Sequence, residues 1–459
     1  MKIHLETMGC QMNRLDSELV AGALRAAGHE MVDDPKAADA LLYNTCSVRR
    51  QAENKVYSRL GAAGQRKQHY PQLIIGILGC MAQREGLELR KKYPQVDIIC
   101  SPNHLEELVA MLAEAQAGRN ASALDAPRSS GVLAKADEMD HLDLARDVAH
   151  TPSLTQAYVR VARGCDKFCS YCVVPMVRGA ELCRDNSHIV EEVKRLVQAG
   201  RSEITLLGQT VNSYLYRDNG RSVSFADLLA EVAGVAGLRR LRFVTSHPLD
   251  FGDDILQAMR DLKNICPYIH VPAQSGSDAI LKRMNRKYTR SQYDELVDRA
   301  RAIVPGVVLA GDFIVGFCGE SEADHQASAE LIRRSGYKNS FVFKYSPRPG
   351  TFAAKNLTDD VPMDVKRRRN NELLAVQEEV GLAHHRQYIG QGVEVLVEGP
   401  SPRSDRQPKR NRTNAEVQLI GRTRGDHIVV FDGLPNLAGQ YVNVAVTDAT
   451  SLTLFAEKC

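Results

Sequence analysis

The feature that most constrains this chain is the run Cys165, Cys169 and Cys172, a C-x3-C-x2-C spacing set directly after a strand candidate at residues 158–162. Three thiolates in one short loop can hold three irons of a 4Fe-4S cluster and leave the fourth iron open to another ligand, which is what a reactive cluster needs. The competing readings are a zinc loop with Cys183 as fourth thiolate, or buried cysteines of no further role. A zinc ribbon would more typically carry two C-x2-C pairs. The chain has 11 cysteines in 459 residues. A chain this long buries enough core to dispense with disulfide staples, so metal ligation is the expectation for them.

Residues 1–117 alternate strand candidates at 2–7, 40–45 and 73–79 with amphipathic helical stretches, the pattern of an N-terminal parallel α/β sheet domain. Cys10, Cys46 and Cys80 each stand at the end of one of these strands. In an open parallel sheet the C-terminal strand ends form the ligand crevice, so these three are expected to meet as the ligands of a second cluster. The alternative is three unrelated buried cysteines. Cys100, Cys183, Cys266, Cys318 and Cys459 show no ligand spacing and receive no role.

The length implies two or three domains, and three is the expectation. Residues 118–150 lack periodicity and read as a linker. Residues 151–383 carry strand candidates at 158–162, 204–207, 241–245, 268–271, 311–315 and 341–345, six β/α units that predict a partial (β/α)6 barrel with its chemistry at the C-terminal strand ends. Residues 384–455 hold Val-rich runs at 393–397, 415–419, 427–431 and 441–446, which predict a small C-terminal all-β barrel. No stretch reaches the roughly eighteen apolar residues of a membrane span, and residues 1–9 read as a strand instead of a signal peptide, so a cytoplasmic location and no membrane partner are expected. A net charge of +3 identifies no partner. Clustered cations do: Lys409 and Arg410 lie in an insert between Arg403 and Arg412, and Arg422 and Arg424 lie in a Gly-Arg-Thr-Arg-Gly turn. These suit neutralisation of RNA phosphates, although the insert also reads as a solvated loop. The basic run 366–369 falls on a helix and is expected to be a wetted face.

The loop Gly164-Cys165-Asp166-Lys167-Phe168-Cys169-Ser170-Tyr171-Cys172-Val173-Val174-Pro175, followed by Arg178-Gly179, resembles the radical S-adenosylmethionine (SAM) signature of the methylthiotransferase family. The resemblance extends over almost the whole chain. Gly9-Cys10-Gln11-Met12-Asn13, Asn44-Thr45-Cys46-Ser47-Val48-Arg49 and Lys344-Tyr345-Ser346-Pro347-Arg348-Pro349-Gly350-Thr351 resemble the branch that acts on N6-(dimethylallyl)adenosine in tRNA. The ribosomal-protein branch typically has Pro-Lys after the first cysteine and the threonylcarbamoyladenosine branch Lys-Val, where this chain has Gln11 and Met12.

The resemblance implies a cluster-bearing α/β domain, a radical SAM barrel and a TRAM RNA-binding barrel. It implies two 4Fe-4S clusters and SAM as cofactors, with SAM chelating the open iron held by Cys165, Cys169 and Cys172. SAM cleavage would yield a 5'-deoxyadenosyl radical that removes hydrogen from C2 of the adenosine beside the anticodon. Sulfur from the Cys10, Cys46 and Cys80 cluster and a methyl group from a second SAM would complete the product. Tyr171, Gln209, Asn212, Ser246, Gln274 and Asp312 are the candidates for holding SAM, each also readable as an ordinary polar strand end or helix cap. No catalytic residue beyond the cluster ligands is expected. The implied partners are tRNA carrying isopentenylated adenosine, an electron donor such as flavodoxin or ferredoxin, and a sulfur and cluster delivery system, with the chain acting as a monomer. Thr210 stands where Asn is usual, and Cys318 replaces a usual Pro with an oxidisable thiol. The alternatives are methylthiolation of a ribosomal-protein aspartate or of threonylcarbamoyladenosine, and a non-catalytic iron-sulfur RNA-binding redox sensor.

Overall fold

The structure, a computed structural model, describes residues 1–47, 50–125, 141–218, 220–402 and 415–458. The chain folds as two compact units. The first comprises residues 1–224 with the short segments 235–237 and 348–351, and the second holds the other described residues.

In the first unit, strands β1 (Lys2–Met8), β2 (Glu30–Met31), β3 (Ala40–Thr45), β4 (Ile74–Gly79), β5 (Ile98–Cys100) and β6 (Ala121–Ala123) form one sheet in the order β2-β1-β3-β4-β5-β6. Every pairing is parallel. β3 and β4 are buried along their whole length, as strands covered by helices on both faces must be. Val20 and Leu24 of the helix Gln11–Ala26 pack on one face, and Val56 and Leu60 of the helix Arg50–His69 on the other. Met8 stands opposite Thr45, and Thr45 opposite Gly79. Cys10, Cys46 and Cys80 therefore leave three neighbouring strands at the same end of the sheet. β6 falls inside the stretch that composition reads as a linker, because Ala-Ser-Ala carries no periodic signal and becomes a strand only by pairing with the edge of β5.

The same unit continues with β7 (Gln156–Arg160) and β10 (Glu203–Leu207), which pair in parallel around the helix Asn186–Gln198. Between them β8 (Ala162–Arg163) and β9 (Leu182–Cys183) pair antiparallel and clasp the base of the Cys165 loop. A hairpin of β11 (Leu215–Asp218) and β12 (Arg221–Ser224) follows.

The second unit contains β13 (Arg240–Val244), β14 (Tyr268–His270), β15 (Val308–Val315) and β16 (Asn339–Lys344), with β14-β15-β16 joined in parallel. Along the chain β7 and β10 of the first unit and β13, β14, β15 and β16 of the second fall at the six strand candidates of residues 151–383. The helix Glu322–Ser335 begins with a capping box of Ser321 and Asp324. In the helix Met363–Arg386 the basic run differs from expectation: Lys366 and Arg369, three residues apart on one face, are buried and paired with Asp359 at 2.5 Å and Glu320 at 2.8 Å. Only Arg368 of the paired cations is wetted, and it joins Glu322 and Glu372.

The chain ends in a closed barrel, β17-β18-β19-β21-β20, built from β17 (Gly392–Pro400), β18 (Val417–Arg422), β19 (Ile428–Gly433), β20 (Tyr441–Ala449) and β21 (Thr453–Lys458). The fifth strand, β21, was not among the four Val-rich runs. Leu454 and Ala456 point inward from it to join Val395, Val397, Leu419, Val429, Phe431, Val444 and Val446. Each large aliphatic side chain so buried contributes roughly 1.5–3 kcal/mol.

Beside this core His384 Nε2 and His427 Nε2 lie 2.9 Å apart with their rings stacked, and Tyr388 lies 4.4 Å from the His427 ring. Lys338, Arg301 and His385 face the pair, with Asp426 as the opposing charge. Burial, reinforced by these cations, lowers His384 to about 4 and His427 further still. An unfolded histidine binds its proton at about pH 6.5. The stability these neutral rings contribute is therefore whole above that pH and lost as pH falls towards 4. Urea unfolding of the protein is expected to show a falling midpoint between pH 6.5 and 4, and His427→Gln to flatten that slope; an unchanged slope in the variant would refute the assignment.

Candidate active site

Cys10 is the residue before the helix Gln11–Ala26, and its Sγ donates to Asn13 Oδ1 at 3.2 Å. Asn13 is fully buried and binds the neighbouring strand end twice: Nδ2 donates to Asn44 Oδ1 at 2.9 Å and to the Thr45 carbonyl at 3.2 Å. Asn44 Nδ2 returns a bond to the Asn13 carbonyl and another to Ser17 Oγ, while Thr45 Oγ1 donates to the Leu78 carbonyl. This buried lattice fixes the ends of β1, β3 and β4 to one another. A Cβ on Gly79, at φ +87°, would fall 2.4 Å from Asn44 Oδ1, so the turn into Cys80 needs glycine. The structure brings the three cysteines together: a hydrogen bond with Cys46 lowers the Cys10 thiol to about 6 against the cost of burial, with help from the charge of Arg178. Burial raises Cys80, and Arg178 opposes that rise.

Arg178 is the residue that sequence reasoning left without a role. Its Nη2 donates to Asp16 Oδ2 at 2.6 Å, and Asp16 Oδ1 also accepts from Arg160 at 3.3 Å. Its Nη1 is buried without a hydrogen-bond partner. No local sequence pattern joins Asp16 to Arg178, which lie 162 residues apart.

The second cysteine set lies in the same unit. Gly164, at φ +75°, lets the loop close on itself, since a Cβ there would fall 1.7 Å from the Ala180 carbonyl oxygen. The Cys165 amide donates to the Gly179 carbonyl at 3.3 Å and the Cys172 amide to the Cys169 carbonyl at 3.0 Å. Asp166 accepts from the Glu181 amide at 3.1 Å. Cys165 is buried, which pushes its thiol up to about 11, whereas Cys169 and Cys172 are half-exposed. Val173 and Val177, just past the loop, pack on Cys80.

The chemistry of the donors fits iron-sulfur clusters. Each set offers three sulfurs from a loop or strand ends fixed by backbone bonds, and the buried guanidinium of Arg178, paired with Asp16 through Nη2 but with Nη1 lacking a hydrogen-bond partner, suits a neighbouring group of net negative charge.

The SAM candidates fall in both units. In the first, Tyr171 lies between two of the cysteines, and Gln209 and Asn212 follow β10. Gln209 Oε1 is buried without a partner. In the second, Ser246 and Gln274 follow β13 and β14, and Ser246 Oγ is also buried without a partner. Thr245 and Gln274 hold φ of +69° and +68°. Such backbone strain, in a β-branched residue above all, marks functional positions more than ordinary strand ends. Asp312 lies on β15, where Oδ1 is 3.3 Å from His270 Nε2.

Three family models match in succession: "Uncharacterized protein family UPF0004" over residues 2–101, "Radical SAM superfamily" over 159–332 and "TRAM domain" over 386–459. A tRNA-2-methylthio-N(6)-dimethylallyladenosine synthase of Rhodopirellula baltica is 46% identical over 98% of this chain and 94% of its own length. The chain belongs to the tRNA-2-methylthio-N(6)-dimethylallyladenosine synthase family. The synthase of Syntrophotalea carbinolica is 41% identical over 97% of each chain. Among solved structures, the radical S-adenosylmethionine methyltransferase TsrM of Kitasatospora setae, with cobalamin and a [4Fe-4S] cluster bound, aligns at a TM-score of 0.56 and 14% identity over 77% of each chain. At that identity the likeness concerns the fold.

Two positions at which this member departs from the commoner pattern are integrated into the packing. Thr210 Oγ1 donates to Glu181 Oε2 at 2.6 Å. Cys318 is fully buried and burial raises its thiol, which disfavours the thiolate form that oxidises most readily. Of the RNA candidates, Lys409 and Arg410 lie outside the described residues. Arg422 pairs with Glu398 at 3.1 Å and Asp426 at 3.0 Å, and Arg424 donates to the Ile265 carbonyl at 2.8 Å. Among the described residues no helix is long and apolar enough to cross a membrane.

Proposed function

We propose that this member of the synthase family methylthiolates C2 of N6-(dimethylallyl)adenosine next to the anticodon in tRNA, with Cys165, Cys169 and Cys172 holding the SAM-binding 4Fe-4S cluster and Cys10, Cys46 and Cys80 holding a second. The observation that carries this reading is the meeting of Cys10, Cys46 and Cys80 at three aligned strand ends, in a chain that also bears the C-x3-C-x2-C loop. When bound, the clusters and SAM supply the reducing electron, the hydrogen-abstracting group, the sulfur and the methyl.

The chain's own groups orient and enclose them. Tyr171, Gln209, Asn212, Ser246, Gln274 and Asp312 bind SAM through side-chain hydrogen bonds and, for Tyr171, ring contact with the adenine. The partnerless Gln209 Oε1 and Ser246 Oγ support this assignment, since a buried polar atom left without ligand costs free energy. The Asn13, Asn44 and Thr45 lattice holds the second trio in place. Arg422 and Arg424, with Lys409 and Arg410, contribute positive charge for tRNA phosphates. A flavodoxin or ferredoxin supplies electrons, a separate system replenishes clusters and sulfur, and the chain acts as a monomer in the cytoplasm.

The test is anaerobic reconstitution with iron and sulfide, followed by incubation with SAM, dithionite and isopentenylated tRNA and mass spectrometry of the digested nucleosides. A methylthio mass increase on dimethylallyladenosine is the expected result. Release of 5'-deoxyadenosine without modified nucleoside would move the substrate to another branch, and neither product from fully loaded protein would overturn the catalytic reading.

A further inference from the structure

We propose that Phe341 and Phe343 form an aromatic platform that receives the dimethylallyl-bearing adenine and makes the enzyme prefer prenylated tRNA. The inference rests on the tRNA methylthiolation reading and names the residues that recognise its substrate. Both phenylalanines lie on β16, 51% and 39% exposed, with ring centroids 6.3 Å apart and planes 22° from parallel. Two large apolar rings side by side in water mark a binding surface, whereas single exposed apolar residues are common and need no explanation.

Their face is defined by register. Asp312 stands opposite Phe341 and Ile314 opposite Phe343, so these four residues share one side of the β15–β16 pair. The alternate residues turn to the helix Met363–Arg386: Lys344 Nζ lies 3.4 Å from Asn370 Oδ1, Ser340 is buried, and Phe313 and Val315 on β15 are buried as well. The phenylalanines thus occupy the face away from the helical layer, which in a β/α barrel lines the interior.

The chemistry of that face selects the occupant. A purine stacks on an aromatic ring through its π-face, and a five-carbon alkyl group extends the apolar contact across a second ring. Polar side chains on that face are Asn339 and, paired at 3.3 Å, His270 and Asp312. A carboxylate next to the platform disfavours an anionic substrate such as an aspartate or a threonylcarbamoyl group and leaves a neutral prenyl group unaffected.

The experiment compares binding of two tRNAs, identical except for the dimethylallyl group, to the reconstituted wild type, to the Phe341→Ala/Phe343→Ala double variant and to a Phe341→Leu/Phe343→Leu variant that keeps apolar bulk without the rings. The wild type is expected to favour prenylated tRNA, and the alanine variant to lose about tenfold of that preference, roughly what two CH2 groups of the alkyl substituent lose on leaving an apolar surface. The leucine variant should retain part of it, and affinity for the unmodified tRNA should fall less. An unchanged ratio in both variants overturns the platform and leaves the functional reading standing. Failure of the wild type to methylthiolate prenylated tRNA overturns the functional reading, and the platform with it.

Discussion

Cys169→Ala is expected to lose about half of the reconstituted iron and all cleavage of SAM, whereas Cys46→Ala should lose a similar share of iron, keep cleavage of SAM and lose the methylthiolated nucleoside. The asymmetry follows from where the thiols sit. Cys165, Cys169 and Cys172 belong to one loop whose closure depends on Gly164 and on the Cys165 amide bond to Gly179, so the loop's backbone does not depend on the Cys46 side chain. Cys46 leaves β3 between the ends of β1 and β4, and its loss removes the hydrogen bond that most favours the Cys10 thiolate. Iron content, 5'-deoxyadenosine release and nucleoside mass spectrometry read the three quantities separately. Equal loss of both activities in both variants would sink this division of labour. Cys183→Ser supplies the control against a zinc loop. Cys183 pairs with Ala162 in the β8–β9 ladder, accepts from the Leu215 amide at 3.4 Å and has its thiol pushed up to about 11 by burial, so the serine variant should keep its full iron content.

The two cysteine sets were legible in the sequence for different reasons. The C-x3-C-x2-C loop announces itself by local spacing alone. Cys10, Cys46 and Cys80 are far apart in sequence, and only the inference that consecutive parallel strands share one ligand-facing end joined them. That inference succeeds because β1, β3 and β4 are immediate neighbours in the sheet. The strands of the partial barrel were legible from their apolar runs. β6 was not, because three small residues become a strand only through a neighbour, and β21 was not, because its inward alternation carries only Leu454 and Ala456 into the core. Lys366 and Arg369 misled for a related reason. A basic run on a helix reads as solvated until the acidic residues it meets, Asp359 and Glu320, are known to lie beneath it.

Least legible of all was the ion pair behind the first cysteine set, and its disruption should have the second largest effect. Arg178→Met keeps much of the side-chain volume and removes the charge. It leaves Asp16, itself fully buried, with Arg160 at 3.3 Å as its remaining cation. Breaking one side of a buried pair in this way costs roughly 3–5 kcal/mol of stability, which urea unfolding of the iron-free protein would measure. A separate effect is expected on the metal. The guanidinium supports the thiolate forms of Cys10 and Cys80 and presents Nη1 without a protein partner. A cluster held by three thiolates is anionic, so removing a neighbouring buried cation should lower its reduction potential and weaken its assembly, because adding an electron then places more uncompensated charge in a poorly screened site. Iron analysis and an EPR-monitored redox titration would detect both, with the Cys165, Cys169 and Cys172 cluster as internal reference. Arg178→Lys retains the charge and loses the two-pronged geometry, so it should recover most of the potential but less of the stability. If Arg178→Met were destabilised yet carried both clusters at wild-type potentials, Arg178 would be a structural partner of Asp16 and nothing more.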